Sequence, residues 1–67
     1  MKSAEFYANT AVAQARMAVK LQDKYYIDLA LNTVYTAYIY GDITGGEWLE
    51  ASVLIHEYAR RHVADYN

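Results

Sequence analysis

Nine consecutive residues, Tyr40-Gly41-Asp42-Ile43-Thr44-Gly45-Gly46-Glu47-Trp48, hold all three glycines of a chain without proline, so this is where the backbone is plainly told to turn. Gly41 suits the left-handed position just past a helix C-terminus, because glycine has no Cβ to clash there. Thr44 and Glu47 have the spacing of a capping box: the hydroxyl accepts the Glu amide proton and the carboxylate reaches back to the Thr amide. Ile43 and Trp48 flank the box as a hydrophobic staple would. One helix therefore ends at Tyr40 and another starts at Thr44.

Upstream, Ser3 is an N-cap and Glu5 a first-turn carboxylate favoured by the helix dipole. On a wheel of about 100° per residue counted from Phe6, Phe6, Tyr7, Thr10, Gln14, Met17, Ala18 and Leu21 gather near roughly 50°, and a charged side with Arg16 and Lys20 lies near roughly 290°. Continued in the same frame, Ile27, Leu31, Val34 and Tyr38 fall on that charged side, near roughly 310°. One straight rod would bury Leu31 beside Arg16. The periodicity instead predicts a break at Leu21 to Lys24, with Asp23 capping the next helix, and a connection so short makes the two helices antiparallel neighbours.

The second helix, Lys24 to Tyr40, carries two apolar stripes. Ile27, Leu31, Val34, Tyr35 and Tyr38 form one, and Tyr26, Leu29, Ala30, Thr33, Ala37 and Tyr40 form the other on nearly the opposite side. Five of the eight tyrosines lie in this helix, and tyrosine is enriched at binding hot spots because a rigid ring gives area at low entropic cost. The second stripe, small in its middle and bracketed by Tyr26 and Tyr40, is thus the expected partner or dimer interface, with packing by the first helix as the competing account. A third helix is expected from Gly45 to Tyr66, with Trp48, Ala51, Ser52, Ile55, Tyr58, Ala59, His62 and Tyr66 inward and Glu50, Glu57, Arg60 and Arg61 outward. The string Gly41 to Trp48 resembles the turn of small helical-hairpin modules such as the SHOCT domain, in which a glycine, an Ile-Thr pair and a Glu-aromatic pair recur; the likeness covers eight of 67 residues.

A core of 67 residues rarely leaves more than about 3 to 5 kcal/mol of net stability. With no cysteine and two histidines, disulfides and a structural metal are not expected, and self-association is the remaining source of burial. Six cations against eight carboxylates, net −2, make neither a phosphate-binding face nor a nucleic-acid mimic, so no nucleic acid is expected as a partner. No run approaches a membrane span and the N-terminus lacks a leader pattern, so a cytoplasmic protein with no membrane partner is expected.

Catalytic constellations are thin. His56 and His62 are six residues apart, roughly 240° round a helix, and cannot share a metal as histidines four apart do. Glu50 and Glu57 lie on a charged face where carboxylates stay solvated. Ser52 has neither a base at helical spacing nor a glycine-rich elbow. Gly45 and Gly46 each cost about 1 kcal/mol in a helix and leave bare amides suited to an anion, but Glu47 occupies that place; turn geometry or close approach by another chain explains them better.

The expectation is an all-α protein, a small three-helix bundle or helical hairpin completed by homodimerisation. It has no enzymatic activity, no cofactor and no metal, and acts as an adaptor, regulator or inhibitor by binding a larger protein. The alternative is an oligomeric binder of a nucleotide-like anion, using Tyr58, Arg60, Arg61 and His62.

Overall fold

Three helices and no strand account for the residues described, 3–66, in the structure, a computed structural model. They are α1 (Ala4–Leu21), α2 (Tyr25–Ile39) and α3 (Gly45–His62). Ser3 caps α1 by accepting the Phe6 amide at 3.1 Å. The helix ends in a Schellman motif: the Gln22 amide donates to Val19 O and the Asp23 amide to Ala18 O, at 3.3 and 3.0 Å. Gln22 takes the left-handed conformation (φ 51°, ψ 48°) that glycine normally fills. One residue on, the Asp23 carboxylate accepts the Tyr25 amide at 3.0 Å and starts α2. The break at Leu21 to Lys24 is therefore real.

The second turn repeats the motif with the expected residue. Gly41 has φ 77°, its amide donates to Tyr38 O, and the Asp42 amide donates to Ala37 O at 2.9 Å. The capping box is closed in both directions, Glu47 N to Thr44 Oγ1 at 3.1 Å and Thr44 N to Glu47 Oε1 at 2.7 Å. The Trp48 ring turns back onto α2 and stacks on Tyr38, centroids 4.8 Å apart and planes 7° from parallel. A Cβ at Gly45 would meet Tyr38 at an ordinary 3.6 Å and one at Gly46 would meet nothing closer than 3.9 Å, so packing within the subunit requires glycine at neither.

Helix α3 stops at His62, four residues before the expected Tyr66. The cause is tertiary. The Gln22 side-chain amide donates to His62 O at 3.0 Å and accepts the Ala64 amide at 2.7 Å, drawing the chain out of the helix while Val63 enters the core in an extended conformation. Tyr66 then folds back and its hydroxyl is hydrogen-bonded to His56 Nδ1. His62, expected inward, is thus exposed, and it is His56 that is half-buried with a partner.

The core is made of small residues. Among the described residues, six of the ten buried apolar ones are alanines (11, 15, 18, 30, 37 and 59), and Ile27 is the one large side chain enclosed completely. Helix α1 accordingly sits about 80° from the rotation expected of it: Tyr7, Ala11, Ala15 and Ala18 face inward, while Phe6, Met17 and Leu21 remain exposed. Alanine faces let α1 and α2 approach closely, and Thr33 Oγ1 donates to Gln14 Oε1 across the contact at 2.7 Å. Helix α3 packs on the other flank of α2, with α1 and α3 making the least extensive contact of the three pairs. The 4631 Å² of accessible surface exceeds the roughly 4,300 Å² typical of a 7.7 kDa monomer.

At the end of the fold opposite Gln22, Tyr7 of α1 stands beside Asp42 of the α2–α3 turn. Burial, then the Asp42 carboxylate, raises the Tyr7 phenol above its ordinary 10.0. Tyr66 is raised too, by burial first and by Asp28 second.

Two outcomes follow from these contacts. Gln22→Ala loses both bonds to the α3 terminus and keeps the left-handed strain, costing about 1 to 3 kcal/mol; Gln22→Gly relieves the strain and is the milder change. Urea titration gives the ranking, and Ala64 amide exchange should quicken in both variants. Phenols raised in the folded state contribute stability that is fully present below 10.0 and is lost as pH climbs through their folded values. Tyr7→Phe with Tyr66→Phe should therefore flatten the alkaline fall of the urea midpoint; an unchanged fall would show that other groups cause it.

Candidate functional site

Because α1 and α3 flank α2 and scarcely meet, an open groove of about 550 Å³ runs between them. Helix α1 supplies Ala8, Ala11, Val12, Ala15 and Arg16, and Val34 of α2 contributes between the two walls. Helix α3 supplies Ala51, Leu54, Ile55 and Tyr58, then Glu57, Arg61 and His62 toward its C-terminal end. The spacing 8, 11, 12, 15 on one side and 51, 54, 55, 58 on the other is the i, i+3, i+4, i+7 pattern of a helical face. At 1.5 Å per residue the two walls run for roughly 12 and 17 Å, two to three turns of helix. Val12 and Leu54 stand at the lips, 47% and 59% exposed.

The electrostatics are one-sided. Arg16 and Arg61 come from facing helices to the same end, with His62 beside them and its ring 4.7 Å from that of Tyr58. Glu57 is the acid among the groove residues. At the other end the walls are alanines, Ala8 and Ala51.

The stripe Tyr26, Leu29, Ala30, Thr33, Ala37, Tyr40, expected as the interface, is not available as one. Ala30 and Ala37 are 0% exposed within the single subunit, Thr33 is bonded to Gln14 of α1, and Tyr26 packs against the core. Leu29 is half-buried and Tyr40 alone is well exposed, at 67%. The reason is the alanine face of α1, which comes near enough to cover a stripe that two larger faces would have left open. Of the second expected set, the groove brings together Tyr58, Arg61 and His62 and adds Arg16; Arg60 is exposed and lies outside it.

Among the described residues, no cluster of His, Asp or Glu has the makings of a metal site and no helix is long and apolar enough to cross a membrane. Compared with protein-family models, with curated proteins and with solved structures, the chain matches none. The likeness of Gly41 to Trp48 to a helical-hairpin turn thus extends no further than its capping residues.

Burial separates the two surfaces in a mutational test. Ala37→Arg places an unpaired charge in a closed site, at a cost of about 3 to 5 kcal/mol, as much as a domain this small holds; its far-ultraviolet circular dichroism should show an unfolded chain. Leu54→Arg, on an exposed lip, should change the unfolding free energy of the single subunit, read at the lowest workable protein concentration, by no more than about 0.5 kcal/mol. A folded Ala37→Arg variant would reinstate the α2 stripe as surface.

Proposed function

We propose that this protein is a non-enzymatic interaction module that works by helix-in-groove docking, and that it acts as an adaptor, regulator or inhibitor of a larger protein. The observation that carries this reading is the inverted distribution of apolar side chains: alanines fill the core, while Val12, Leu54, Leu49, Val53, Met17 and Leu21 are exposed. Single exposed apolar residues are ordinary; two of these form the lips of a groove whose inner surface is alanine, valine and isoleucine. A floor of short side chains admits another backbone closely, and walls two to three turns long match an amphipathic helix with anchors at i, i+3 or i+4, and i+7. Completion of the bundle by a second copy falls within the same reading.

A second reading is supported by Tyr58, Arg61, His62 and Arg16, which line one end of the groove: a nucleotide-like anion stacked on the tyrosine and neutralised by the arginines. Glu57 at the same end weakens it, and an apolar groove favours the helix.

A photo-crosslinking amino acid placed at Leu54, in cells of the native host, tests docking. The expected result is a covalent adduct to a protein chain, not formed from a probe at Asn32 on the exposed side of α2. Equal labelling from both positions, or none from Leu54, would remove helix docking as the function.

A further inference from the structure

Resting on helix docking as the use of the groove, we propose that its occupant is a second copy of this chain, laid antiparallel so that Leu54 of each copy enters the other's groove about a two-fold axis. The argument is charge placement. Helices α1 and α3 run in the same direction, as the pairing of Tyr7 with Asp42 at one end and of Gln22 with His62 and Ala64 at the other requires. The end where both helices begin carries Glu5, Asp42, Glu47 and Glu50 and, among the described residues, no Lys or Arg. The opposite end carries Arg16, Lys20, Lys24, Arg60 and Arg61 against four carboxylates, Asp23, Asp28, Glu57 and Asp65. Among the described residues, one end is therefore net negative and the other slightly positive.

Two grooves facing each other in the antiparallel sense bring Arg16 and Arg61 of each copy toward the other's Glu5 and Glu50. A parallel arrangement would set four carboxylates against four. Charges of this kind contribute little affinity but decide orientation, and affinity comes from the lips and the alanine floor. A two-fold contact needs one self-complementary patch, and this groove supplies both knob and hole: Leu54 projects, and the floor beside it is lined by Ala11 and Ala15. A standard interface of about 800 Å² on each partner is roughly a sixth of the 4631 Å² surface. The product is a four-helix layer of two α1 and two α3, with each α2 outside it.

Light scattering of the eluting purified chain, loaded from about 1 to 100 μM, tests the pairing. The expected mass is twice 7.7 kDa, falling to one copy in Leu54→Arg and in Val12→Glu, both checked for unchanged helical circular dichroism. The chain has no cysteine, so orientation is read by disulfide trapping. Because this two-fold sets α1 against α1 and α3 against α3, Ala8→Cys mixed with Arg16→Cys should form a linked dimer, and Ala8→Cys alone should not. A wild-type monomer at 100 μM, a dimer that survives both lip variants, or a disulfide from Ala8→Cys alone would overturn the proposal. A monomer whose Leu54 still crosslinks to a foreign protein would exclude the second copy and keep helix docking. A monomer with no Leu54 adduct would remove both.

Discussion

Helices α1 and α2 meet through alanines, and the rest of the architecture follows from how little room that contact takes. Ala11, Ala15, Ala18 and Ala30 share one cluster with Ile27 and Val34, so the two helix backbones are not held apart by branched side chains. Close approach satisfies packing but buries little area per residue: an alanine methyl contributes on the order of 0.8 kcal/mol where a leucine or isoleucine contributes about 1.5 to 3. The side chains with area to give, Met17, Leu21, Leu49, Val53 and Leu54, are outside. A chain of 67 residues has a small margin for such an arrangement, and it gains what margin it has from local devices instead.

Those devices are concentrated at the turns. Both interhelical connections use a Schellman motif, one with Gly41 and the other with Gln22 at the left-handed residue. Glutamine accepts a strain there that glycine would avoid, and its side chain gives something glycine lacks: it joins the α1–α2 turn to the end of α3 through His62 O and Ala64 N. At the opposite end, Tyr7 and Asp42 bring α1 to the α2–α3 turn, and one carboxylate oxygen of Asp42 is shielded there without a hydrogen bond of good geometry. The helices are thus fastened to each other at both ends and remain apart along the middle of α1 and α3, where the groove lies.

What the residues disclosed in advance divides along the line between local and tertiary causes. Gly41, Thr44 and Glu47 act on neighbours within a few positions, and their turn was legible to within one residue. The break near Gln22 was legible from the change of apolar phase, although no glycine marked it. The end of α3 was not, because it is set by a side chain forty residues away in sequence. The rotation of α1 was hidden for a different reason: a wheel weights large apolar residues, and this helix turns its small ones inward. The same small residues decide between the two accounts of the Tyr26 to Tyr40 stripe of α2: the alanine face of α1 covers it, as the competing account has it. The groove had its own signature in the spacing of Ala8, Ala11, Ala15 and of Ala51, Ile55, Tyr58, which is visible once alanine is counted as a contact residue.

The proposed companion moves from the α2 stripe to the groove, and the physics behind the proposal becomes more specific. Surplus area on α2 would have been met by any apolar partner, whereas a groove floored by alanine and lipped by Val12 and Leu54 selects by shape for a helix. Charge narrows the choice further in the proposed pairing, where the carboxylates gathered at the start of α1 and α3 would face the arginines toward their ends. That asymmetry arises from helix-dipole preferences acting separately on each helix, acids in the first turn and bases in the last. Running α1 and α3 in the same direction aligns the two, so that a rule serving the stability of single helices also gives the described residues a charge polarity, the feature on which the proposed pairing rests.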